Sequence, residues 1–279
     1  MHRIENESIM AHSQGGLGNQ LFILAAGINL ALKSKSKLFI DTSLNQMPGT
    51  RPFRLEGFLD SDLIEVGQIE TQWHRWKLAL QNLNVINFCN ILESNFLERD
   101  RGCMWGYFQS QTYHQDFHAE IYNSFYSCLL KSATMTWVPS LHQDAITIHV
   151  RRGDYEHGAA AKRHGCLDYV YYRNILEEHD GIVNVVSNDA SSVVRLQELM
   201  PGREIRLIQG KSEFDDLLFL ANSEKLVIAN SSFSWWGAAL GVKDKLVIAP
   251  DHWYRNPPKI LHPIQLENWV EAKTTFEDI

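Results

Sequence analysis

The chain lacks the marks of several protein classes. Its four cysteines, at positions 89, 103, 128 and 166, are scattered and form no CxxC pair. A disulfide framework is therefore not expected, and a reducing compartment fits this usage. The chain also has no excess of basic residues, since its net charge is −7. That balance argues against a nucleic-acid partner or an acidic lipid surface, so any anion site must be local.

Long apolar runs are missing as well. The most apolar stretch, residues 21–32, is interrupted by Gly27 and Asn29 and is too short to span a bilayer. The first seven residues, MHRIENE, contain no apolar core of the secretory type, so we expect no signal peptide. These absences predict a cytoplasmic protein with no transmembrane segment, either free or peripheral at the inner face of the membrane.

The sequence does contain enough apolar residues for a large core, since hydrophobic residues make up 44% of its 279 positions. From residue 145 onward, short apolar segments rich in β-branched residues alternate with amphipathic segments. We predict strands at 146–150, 182–186, 204–208, 225–229 and 245–249, and helices at 168–178, 191–200, 214–221 and 233–241. This alternation predicts a parallel sheet covered by helices on both faces.

The first half of the chain is less regular. Its pattern predicts a strand at 9–12, a glycine-rich turn at 14–20, helices at 21–33, 71–83 and 116–130, a strand at 38–41 and loops over 45–70. A proline after a helical stretch places a boundary near 138–140. The predicted domains are therefore 1–140 and 141–252. The pattern of the final segment, 253–279, is too irregular to assign it to either domain. Packing against the first half is one alternative for this segment.

One strand end carries the strongest functional signal. The run HVRRGDY, residues 149–155, ends the predicted strand at 146–150, and its glycine turns the chain. Arg151 and Arg152 would present adjacent guanidiniums, whose planar forked donors match phosphate oxygens. Parallel sheets bind ligands at this end of their strands. A solvated basic turn is the alternative interpretation of an isolated arginine pair.

A second run, NSSFSWWG, follows another predicted strand. The strand would deliver Ser231 and Ser232 to a helix N-terminus, where unpaired N–H groups and the helix dipole attract an anion. Plain helix capping by Asn230 or Ser232 is the alternative. The two tryptophans of the run, Trp235 and Trp236, are expected to pack in the core or between domains.

Two further runs are ambiguous by themselves. In Ser-Asn-Asp at 187–189, the Asp189 carboxylate could accept hydrogen bonds from the paired N–H donors of guanine, but on spacing alone a helix cap is slightly favoured. The turn GGLGNQ lacks the spacing of a dinucleotide-binding loop and the Lys-Ser/Thr of a P-loop. Its glycines nevertheless permit close backbone approach, and Asn19 and Gln20 offer side-chain donors at a helix start.

We expect no metal site. Residues 60–62 have the DxD form used by metal-dependent sugar transferases, but no strand precedes them, so a helix cap or surface loop is favoured. His157, His164 and Cys166 match no closed four-ligand zinc set. A GxSxG elbow or another evident nucleophile motif is not found in the sequence.

Taken together, these runs resemble those of the α-1,2-fucosyltransferases, which place fucose from GDP-fucose on a terminal galactose. The matching pieces are GGLGNQLF at 15–22, WGYFQSQTY at 105–113, HVRRGDY at 149–155, CLDYVYY at 166–172, SND at 187–189 and EFDDLLFLANSEKLVIANSSFSWWGAAL at 213–240. They occur in the order typical of the family and cover most of the chain. The polar start, ENESIMAHSQ, departs from the apolar first strand of the family.

The resemblance implies an α/β fold of the GT-B-like type, in which two Rossmann-like halves face each other across a cleft and the second half holds most of GDP-fucose. It also implies inversion at the anomeric carbon and no required metal or other cofactor. Arg151 resembles the diphosphate clamp, Arg152 and Asp154 shape the same loop, His149 resembles a nucleoside contact, and Asp189 (or Asn188) resembles the guanine reader. Ser231, Ser232, Phe233 and Ser234 resemble the phosphate-side turn, and Gly16, Gly18, Asn19 and Gln20 would line the cleft near the donor sugar and the acceptor.

The chemistry of such a transfer agrees with these roles. Negative charge grows on the β-phosphate as it leaves, so a fixed Arg151 would stabilise the transition state more than the ground state. Inversion in one displacement also needs a base near the acceptor hydroxyl. Asp154 is a candidate for that base, and a salt bridge to Arg152 is an equal alternative for its role.

The sequence therefore predicts an inverting, metal-independent α-1,2-fucosyltransferase that acts on the terminal galactose of an oligosaccharide or a lipid-linked glycan. A different linkage stays open, because protein O-fucosyltransferases and α-1,6-fucosyltransferases share an HxRR-like loop, although SSFSWWGA favours the α-1,2 group. A non-catalytic GDP-sugar-binding module is the other alternative, and the intact motif residues argue against it. We expect residues 46–101 to shape the acceptor pocket.

Overall fold

The computed structural model describes residues 8–58, 62–68, 103–134, 144–257 and 263–278, and at positions 103, 154, 159 and 160 it describes the backbone only. The chain divides into two compact units, Met1–Ser124 with Ile260–Ile264 and Phe125–Lys259 with Gln265–Ile279. Each unit contains one parallel sheet. Among the described helices, none is both long and apolar enough to cross a membrane.

The first unit is built on a four-stranded sheet. Its elements are β1 (Ser8–His12), α1 (Leu17–Ser34), β2 (Lys37–Asp41), β3 (Ile64–Gly67) and β4 (Cys103–Met104). The strand order is β3-β2-β1-β4, so the chain reverses its progress across the sheet between β1 and β4. The start of the chain is polar on both sides of β1, but within the strand Ile9 and Ala11 are buried, and the strand pairs on both sides.

Helix α1 packs closely on β2. Gly27 makes this approach possible, because a Cβ atom there would lie only 2.8 Å from a Leu38 methyl carbon. The helix ends at Ser34, and its C-cap residue, Lys35, adopts a left-handed φ of 52° and donates its N–H to the Leu32 carbonyl. The glycine-rich turn is therefore followed by a helix that is fixed against the sheet.

The second unit is built on six parallel strands. They are β5 (Ile146–Val150), β6 (Val183–Ser187), β7 (Ile205–Ile208), β8 (Lys225–Val227), β9 (Leu246–Pro250) and β10 (Val270–Ala272). The unit boundary falls within α2 (His118–Ser132), and the later helices are α3 (Gly158–Arg163), α4 (Tyr169–Leu176), α5 (Ser191–Leu199), α6 (Glu213–Ala221) and α7 (Ser232–Ala239). The order β10-β9-β8-β5-β6-β7 reverses between β5 and β8, as in Rossmann folds.

The core of the second unit consists of strand residues and buried aromatic rings. Ile148 and Val185 on the central strands are completely buried. Trp235 and Trp236 in α7 are also completely buried, with ring centroids 5.0 Å apart, and Trp236 packs 5.4 Å from Phe125. The prediction that both tryptophans serve packing is confirmed.

Several elements differ from the sequence-based prediction. Helix α1 begins at Leu17, so the glycine-rich turn is shorter than 14–20. The strands β3, β4 and β10, which have two to four residues each, were not predicted. The predicted helix at 71–83 and the boundary near 138–140 lie outside the described residues.

The final segment of the chain contributes to both units. The Pro263 carbonyl accepts a hydrogen bond from the Ser110 hydroxyl at 2.6 Å, and both residues belong to the first unit. Further along, β10 pairs with β9 in the second sheet.

Candidate functional site

Three of the runs identified in the sequence meet in the second unit. Arg151 follows β5, Asn188 follows β6, and Ser231 lies shortly after β8. These three strands are neighbours and run parallel, so the segments after them lie side by side at the carboxyl edge of the sheet. The segments after β5 and β8 flank the point where the strand order reverses, which is the usual ligand position in such sheets.

Arg151 supplies a partly exposed positive charge at this edge. Its Cζ lies 5.3 Å from the centroid of the Tyr155 ring. Its carbonyl oxygen accepts a hydrogen bond from the Cys166 thiol at 3.3 Å. The backbone of Arg151 is thus held in place, and its guanidinium can contact an anionic ligand at the strand end.

Arg152 points into the protein instead. Its side chain is 2% exposed, and Nη1 lies 2.6 Å from Glu277 Oε1. Nε donates to the Tyr169 hydroxyl at 3.1 Å, Nη1 donates to the Cys166 sulfur at 2.9 Å, and Cζ lies 4.0 Å from the Tyr169 ring centroid. The adjacent arginines therefore differ, because the Arg152 guanidinium is engaged by protein groups and fixes the loop from within.

His149 places a neutral polar group beside the same loop. Burial, together with the positive charge of Arg151, lowers the pKa of His149 to about 3. Its Nδ1 has no hydrogen-bond partner among the described residues, and its ring lies 5.6 Å from that of Phe233. A buried nitrogen without a partner costs free energy unless a ligand supplies one, so His149 suits a nucleoside contact.

The N-terminus of α7 provides backbone donors. Ser231 is the N-cap residue in an extended conformation, and its side chain makes no capping hydrogen bond in the described structure. The first N–H groups of the helix therefore lack an intrahelical acceptor, and Ser232 and Phe233 lie in this turn, both partly exposed. Ser234 differs, because its buried hydroxyl donates to the carbonyls of Ala229 and Ser231.

The segment after β6 has a structural role in the described residues. The Asp189 carboxylate accepts hydrogen bonds from the Ser191 N–H at 2.9 Å and from the Ser191 hydroxyl, which lower the pKa of Asp189. The exposed Asn188 accepts the Arg152 N–H at 3.3 Å through its side-chain oxygen. Asp189 thus supports the start of α5 from the position before the N-cap residue, which is Ala190 and not a residue of the run 187–189. A guanine contact by Asp189 or Asn188 stays a prediction.

The side chain of Asp154 lies outside the described residues. Its backbone belongs to a short 3-10 turn, Gly153–Tyr155, and the loop enters this turn at Gly153 with φ of 77°. Both predicted roles of Asp154, the base and the partner of Arg152, stay predictions. Glu277 supplies a carboxylate partner for Arg152 that the sequence did not suggest.

In the first unit, two more runs meet at the corresponding reversal of strand order. The glycine-rich turn follows β1, and the segment from Trp105 follows β4, which pairs with β1. Asn19 accepts a hydrogen bond from the Gln109 amide at 2.6 Å, which joins the two runs. Gly15 has φ of 74°, and Gly16 is the N-cap residue of α1.

Gly18 and Gln20 lie inside the first turns of α1 and are buried. The Gln20 amide nitrogen donates to the carbonyls of Gly15 and Pro52, each at 2.8 Å, and its oxygen accepts the Arg54 N–H at 2.9 Å. The Gln20 side chain therefore ties the turn to the segment at 52–54. Gly16 and Asn19 are partly exposed, so they are the two predicted cleft residues that solvent reaches.

A family assignment follows from comparison with known proteins. Residues 101–273, more than half of the chain, match the sequence model of glycosyl transferase family 11. The chain belongs to this family. The resemblance found in the sequence is thus confirmed at the level of the family, and the protein is a glycosyltransferase.

Two relatives of this family 11 chain match it over nearly their whole length. The alpha-1,2-colitosyltransferase of Escherichia coli is 26% identical over 95% of this chain and 99% of its own. The O-antigen biosynthesis glycosyltransferase WbnK of Escherichia coli is also 26% identical, over 92% of this chain and 97% of its own.

Solved structures share the fold of the family 11 chain. Fucosyltransferase NodZ from Bradyrhizobium superposes with a TM-score of 0.51 at 14% identity, covering 85% of this chain and 94% of NodZ. A FUT1 variant from Arabidopsis thaliana in complex with GDP gives a TM-score of 0.50 at 13% identity, covering 88% and 70%. With the two parallel sheets, these matches confirm the predicted GT-B-like fold with two Rossmann-like halves.

Sequence reasoning missed one buried pair in the first unit of the family 11 chain. His12 ends β1 and Asp41 ends β2, and their side chains meet at 2.8 Å. The edge of the Trp105 ring system packs against His12 at 4.5 Å between centroids. The sequence did contain a signal for this pair. Each of the two consecutive predicted strands ends in a polar residue, and the ends of parallel strands lie at one edge of the sheet.

The possible metal ligands in the described structure form a cluster that an arginine already occupies. Glu156, Cys166 and Glu277 have ligand atoms within 4.8 Å of one another. Arg152 Nη1 contacts both Cys166 and Glu277, and burial raises the pKa of Cys166 to about 11, so the thiol stays protonated. A protonated thiol beside a guanidinium is a poor cation site. The DxD run at 60–62 lies mostly outside the described residues.

Proposed function

We propose that this family 11 glycosyltransferase transfers fucose from GDP-fucose to the 2-hydroxyl of a terminal galactose, with inversion and without a metal. The observation that carries the proposal is the arrangement at the reversal point of the second sheet. There Arg151 follows β5 and the N-terminus of α7 follows β8, on adjacent strands. Together they offer a guanidinium and free backbone donors to one diphosphate.

The chemistry asked of these groups is the stabilisation of a leaving group. When the glycosidic bond to the donor sugar breaks, negative charge builds on the β-phosphate. Arg151 and the helix N-terminus would neutralise that charge in place of a divalent ion. His149, which is neutral at physiological pH, would contact the nucleoside by a hydrogen bond and would not add charge.

The acceptor side rests on the sequence resemblance. A single displacement needs a base for the acceptor hydroxyl, and Asp154 is our candidate. The Asp154→Asn variant is expected to lower kcat strongly while GDP affinity stays near the wild-type value. Loss of folding stability with an unchanged kcat would assign Asp154 to the loop instead.

A galactose-terminated oligosaccharide or a lipid-linked glycan is the proposed acceptor, and the cytoplasm or the inner face of the membrane is the proposed location. The support is the 26% identity of this chain to an O-antigen biosynthesis glycosyltransferase of Escherichia coli. Measurement of transfer to a panel of galactosides would identify the acceptor that the protein prefers.

A colitosyl donor is a second candidate, favoured by the match to the alpha-1,2-colitosyltransferase over 95% of this chain. The two sugars differ in their hydroxyl pattern, and a site that binds a donor hydroxyl through buried polar groups discriminates strongly against its loss. Competition between GDP-fucose and GDP-colitose in one reaction decides between them. The donor with the higher kcat/KM is the substrate.

The main test is GDP release from GDP-fucose with and without lactose, in EDTA. Wild-type protein is expected to release GDP in the presence of lactose, and Arg151→Ala is expected to lose about 100-fold or more in kcat/KM. Arg195→Ala is the matched control, because Arg195 is an exposed arginine on α5 that pairs with Glu198. Linkage analysis of the product by NMR distinguishes α-1,2 from other linkages.

Each failure of this test has a definite meaning. Activity that EDTA abolishes would overturn the metal-free mechanism. Tight GDP binding with no turnover on any galactoside would favour a GDP-sugar-binding module. An α-1,6 or protein-linked product would replace the proposed linkage.

A further inference from the structure

Residues 275–277 lie alongside residues 166–168 in the second unit. Leu167 and Phe276 form an antiparallel bridge. The Asp168 N–H donates to the Thr275 carbonyl at 2.8 Å, and the Glu277 N–H donates to the Cys166 carbonyl at 2.9 Å. The backbone of Glu277 is therefore fixed by regular hydrogen bonds.

The position of residues 275–277 is fixed by side chains as well. The Arg255 guanidinium donates to the Glu277 carbonyl and lies over the Phe276 ring, with Cζ 5.4 Å from the centroid. Gly165 makes room for that ring, because a Cβ atom there would lie 2.6 Å from Phe276 Cδ1. This fit holds Glu277 in one place.

From this place the Glu277 carboxylate reaches Arg152. Oε1 lies 2.6 Å from Arg152 Nη1, whereas the other carboxylate near that atom, Glu156, is 3.8 Å away. The Arg152 side chain is 2% exposed and that of Glu277 is 34% exposed. A buried guanidinium without its carboxylate is strongly unfavourable. Removal of Glu277 would therefore favour a shift of the loop that exposes the Arg152 guanidinium to water.

Movement of Arg152 would reach Arg151 by two routes. The two residues are consecutive, and Cys166 contacts both of them, through Arg152 Nη1 at 2.9 Å and the Arg151 carbonyl at 3.3 Å. The Arg152 N–H is also held by Asn188. The position of Arg151 is thus linked to the pair formed by Arg152 and Glu277 through the peptide chain and through Cys166.

We propose that Glu277 is a positioning residue, whose ion pair with Arg152 sets the Arg151 guanidinium for the donor diphosphate. This inference rests on the proposed function, in which Arg151 contacts that diphosphate. Glu277 touches no substrate in this scheme and acts through the loop.

The first test compares ligands with and without phosphates. In Glu277→Gln, which keeps the shape and removes the charge, affinity for GDP is expected to fall about tenfold, the equivalent of one weakened charge-assisted contact. Binding of guanosine, followed by NMR titration, is expected to stay at the wild-type level. Calorimetry gives the GDP affinity, and thermal unfolding shows the folded fraction of each variant.

Two further variants control this result. Asp278→Asn removes the same charge from the neighbouring exposed position and is expected to bind GDP like wild type. Glu277→Asp keeps the charge with a shorter reach and is expected to recover part of the lost affinity. An equal loss for GDP and guanosine in Glu277→Gln, or no recovery in Glu277→Asp, would overturn the positioning role.

A double-mutant cycle tests the route through Arg151. If Glu277 acts through Arg151, then Glu277→Gln should leave the GDP affinity of Arg151→Ala unchanged. Additive losses in the double variant would overturn this route. The two proposals fail separately: wild-type protein that does not bind GDP overturns the proposed function, whereas a Glu277→Gln variant that binds GDP like wild type overturns the positioning role alone.

Discussion

His12 Nδ1 lies 2.8 Å from Asp41 Oδ2, and the two side chains are 1% and 0% exposed. Asp41 Oδ1 also accepts hydrogen bonds from the N–H and the hydroxyl of Ser43. Burial alone would raise the pKa of Asp41, but the hydrogen bonds from His12 and Ser43 outweigh it and lower the pKa to about 2. The carboxylate is thus stabilised in its charged form at the carboxyl edge of the first sheet.

This pair predicts a defined loss of stability in acid. Because the folded pKa lies below the unfolded value, Asp41 contributes its stabilisation above about pH 4 and loses it as the pH falls towards 2. The contribution is about 2 kcal/mol of unfolding free energy. Urea unfolding of wild type and Asp41→Asn between pH 3 and 6 checks it. The stability difference between the two should shrink as the pH falls, and a constant difference would contradict the assignment.

Lys245 predicts a second stability effect. Its buried ammonium group donates to the carbonyls of Ala221, Gly237 and Leu240, at or near the ends of α6 and α7, at 2.6 to 3.1 Å. Lys245→Met leaves these acceptors without that donor and is expected to cost about 3 kcal/mol of unfolding free energy. Chemical unfolding measures this cost, and Lys243→Met, at an exposed position, is the control.

The same lysine makes that cost depend on pH. Burial lowers the pKa of Lys245 to about 7, below its unfolded value. The unfolded chain therefore binds more protons between about pH 7 and 10, so the Lys245 contribution grows as the pH rises through this window. Unfolding at several pH values checks the direction, and an advantage of wild type over Lys245→Met that falls with pH would contradict it.

His149 predicts a binding effect without a pH signature. Because its pKa is lowered to about 3, the imidazole stays neutral from pH 5.5 to 8. His149→Phe is expected to weaken GDP binding by about 1 kcal/mol through loss of one neutral hydrogen bond. Calorimetry across this range should give a constant difference from wild type. A difference that grows below pH 6.5 would mean that His149 binds as a cation.

Gln20 separates a structural role from a ligand role. Gln20→Leu removes the partners of two carbonyls and one N–H in the first unit and is expected to cost about 2 to 3 kcal/mol of stability. GDP affinity of the folded variant should not change. If Gln20→Leu keeps its thermal stability but loses transfer activity, the result would support the role predicted from the sequence, in which Gln20 contacts the donor sugar or the acceptor.

The second sheet could be predicted because its central strands carry their own signal. Residues such as Ile148 and Val185 are apolar, β-branched and buried, so the periodicity of the sequence reflects their environment. The strands that escaped prediction are short, and β10 and β3 lie at sheet edges, where residues such as Val270 and Val66 are exposed. Their pairing depends on the neighbouring strand more than on their own sequence.

The candidate site could be predicted where its residues form a contiguous run, and not where its geometry depends on residues distant in sequence. The runs after β5 and β8 were found because each run is continuous in sequence and follows an apolar segment. The partners of Arg152 and His12, which are Glu277 and Asp41, are set by the fold and carry no local pattern. The family resemblance implied different roles for Arg151 and Arg152, but the sequence did not predict that Arg152 is buried against Glu277.

Because Arg151 is partly exposed and Arg152 is buried, substitutions at these two positions are expected to fail in different assays. If Arg151 binds the donor diphosphate as proposed, a library that randomises both codons would lose substitutions at 151 in a screen for product. It would lose those at 152 in a screen for folded protein, because the Arg152 side chain is 2% exposed. Comparison of expression yield with turnover would therefore distinguish two adjacent positions that an activity screen alone would score as equally intolerant.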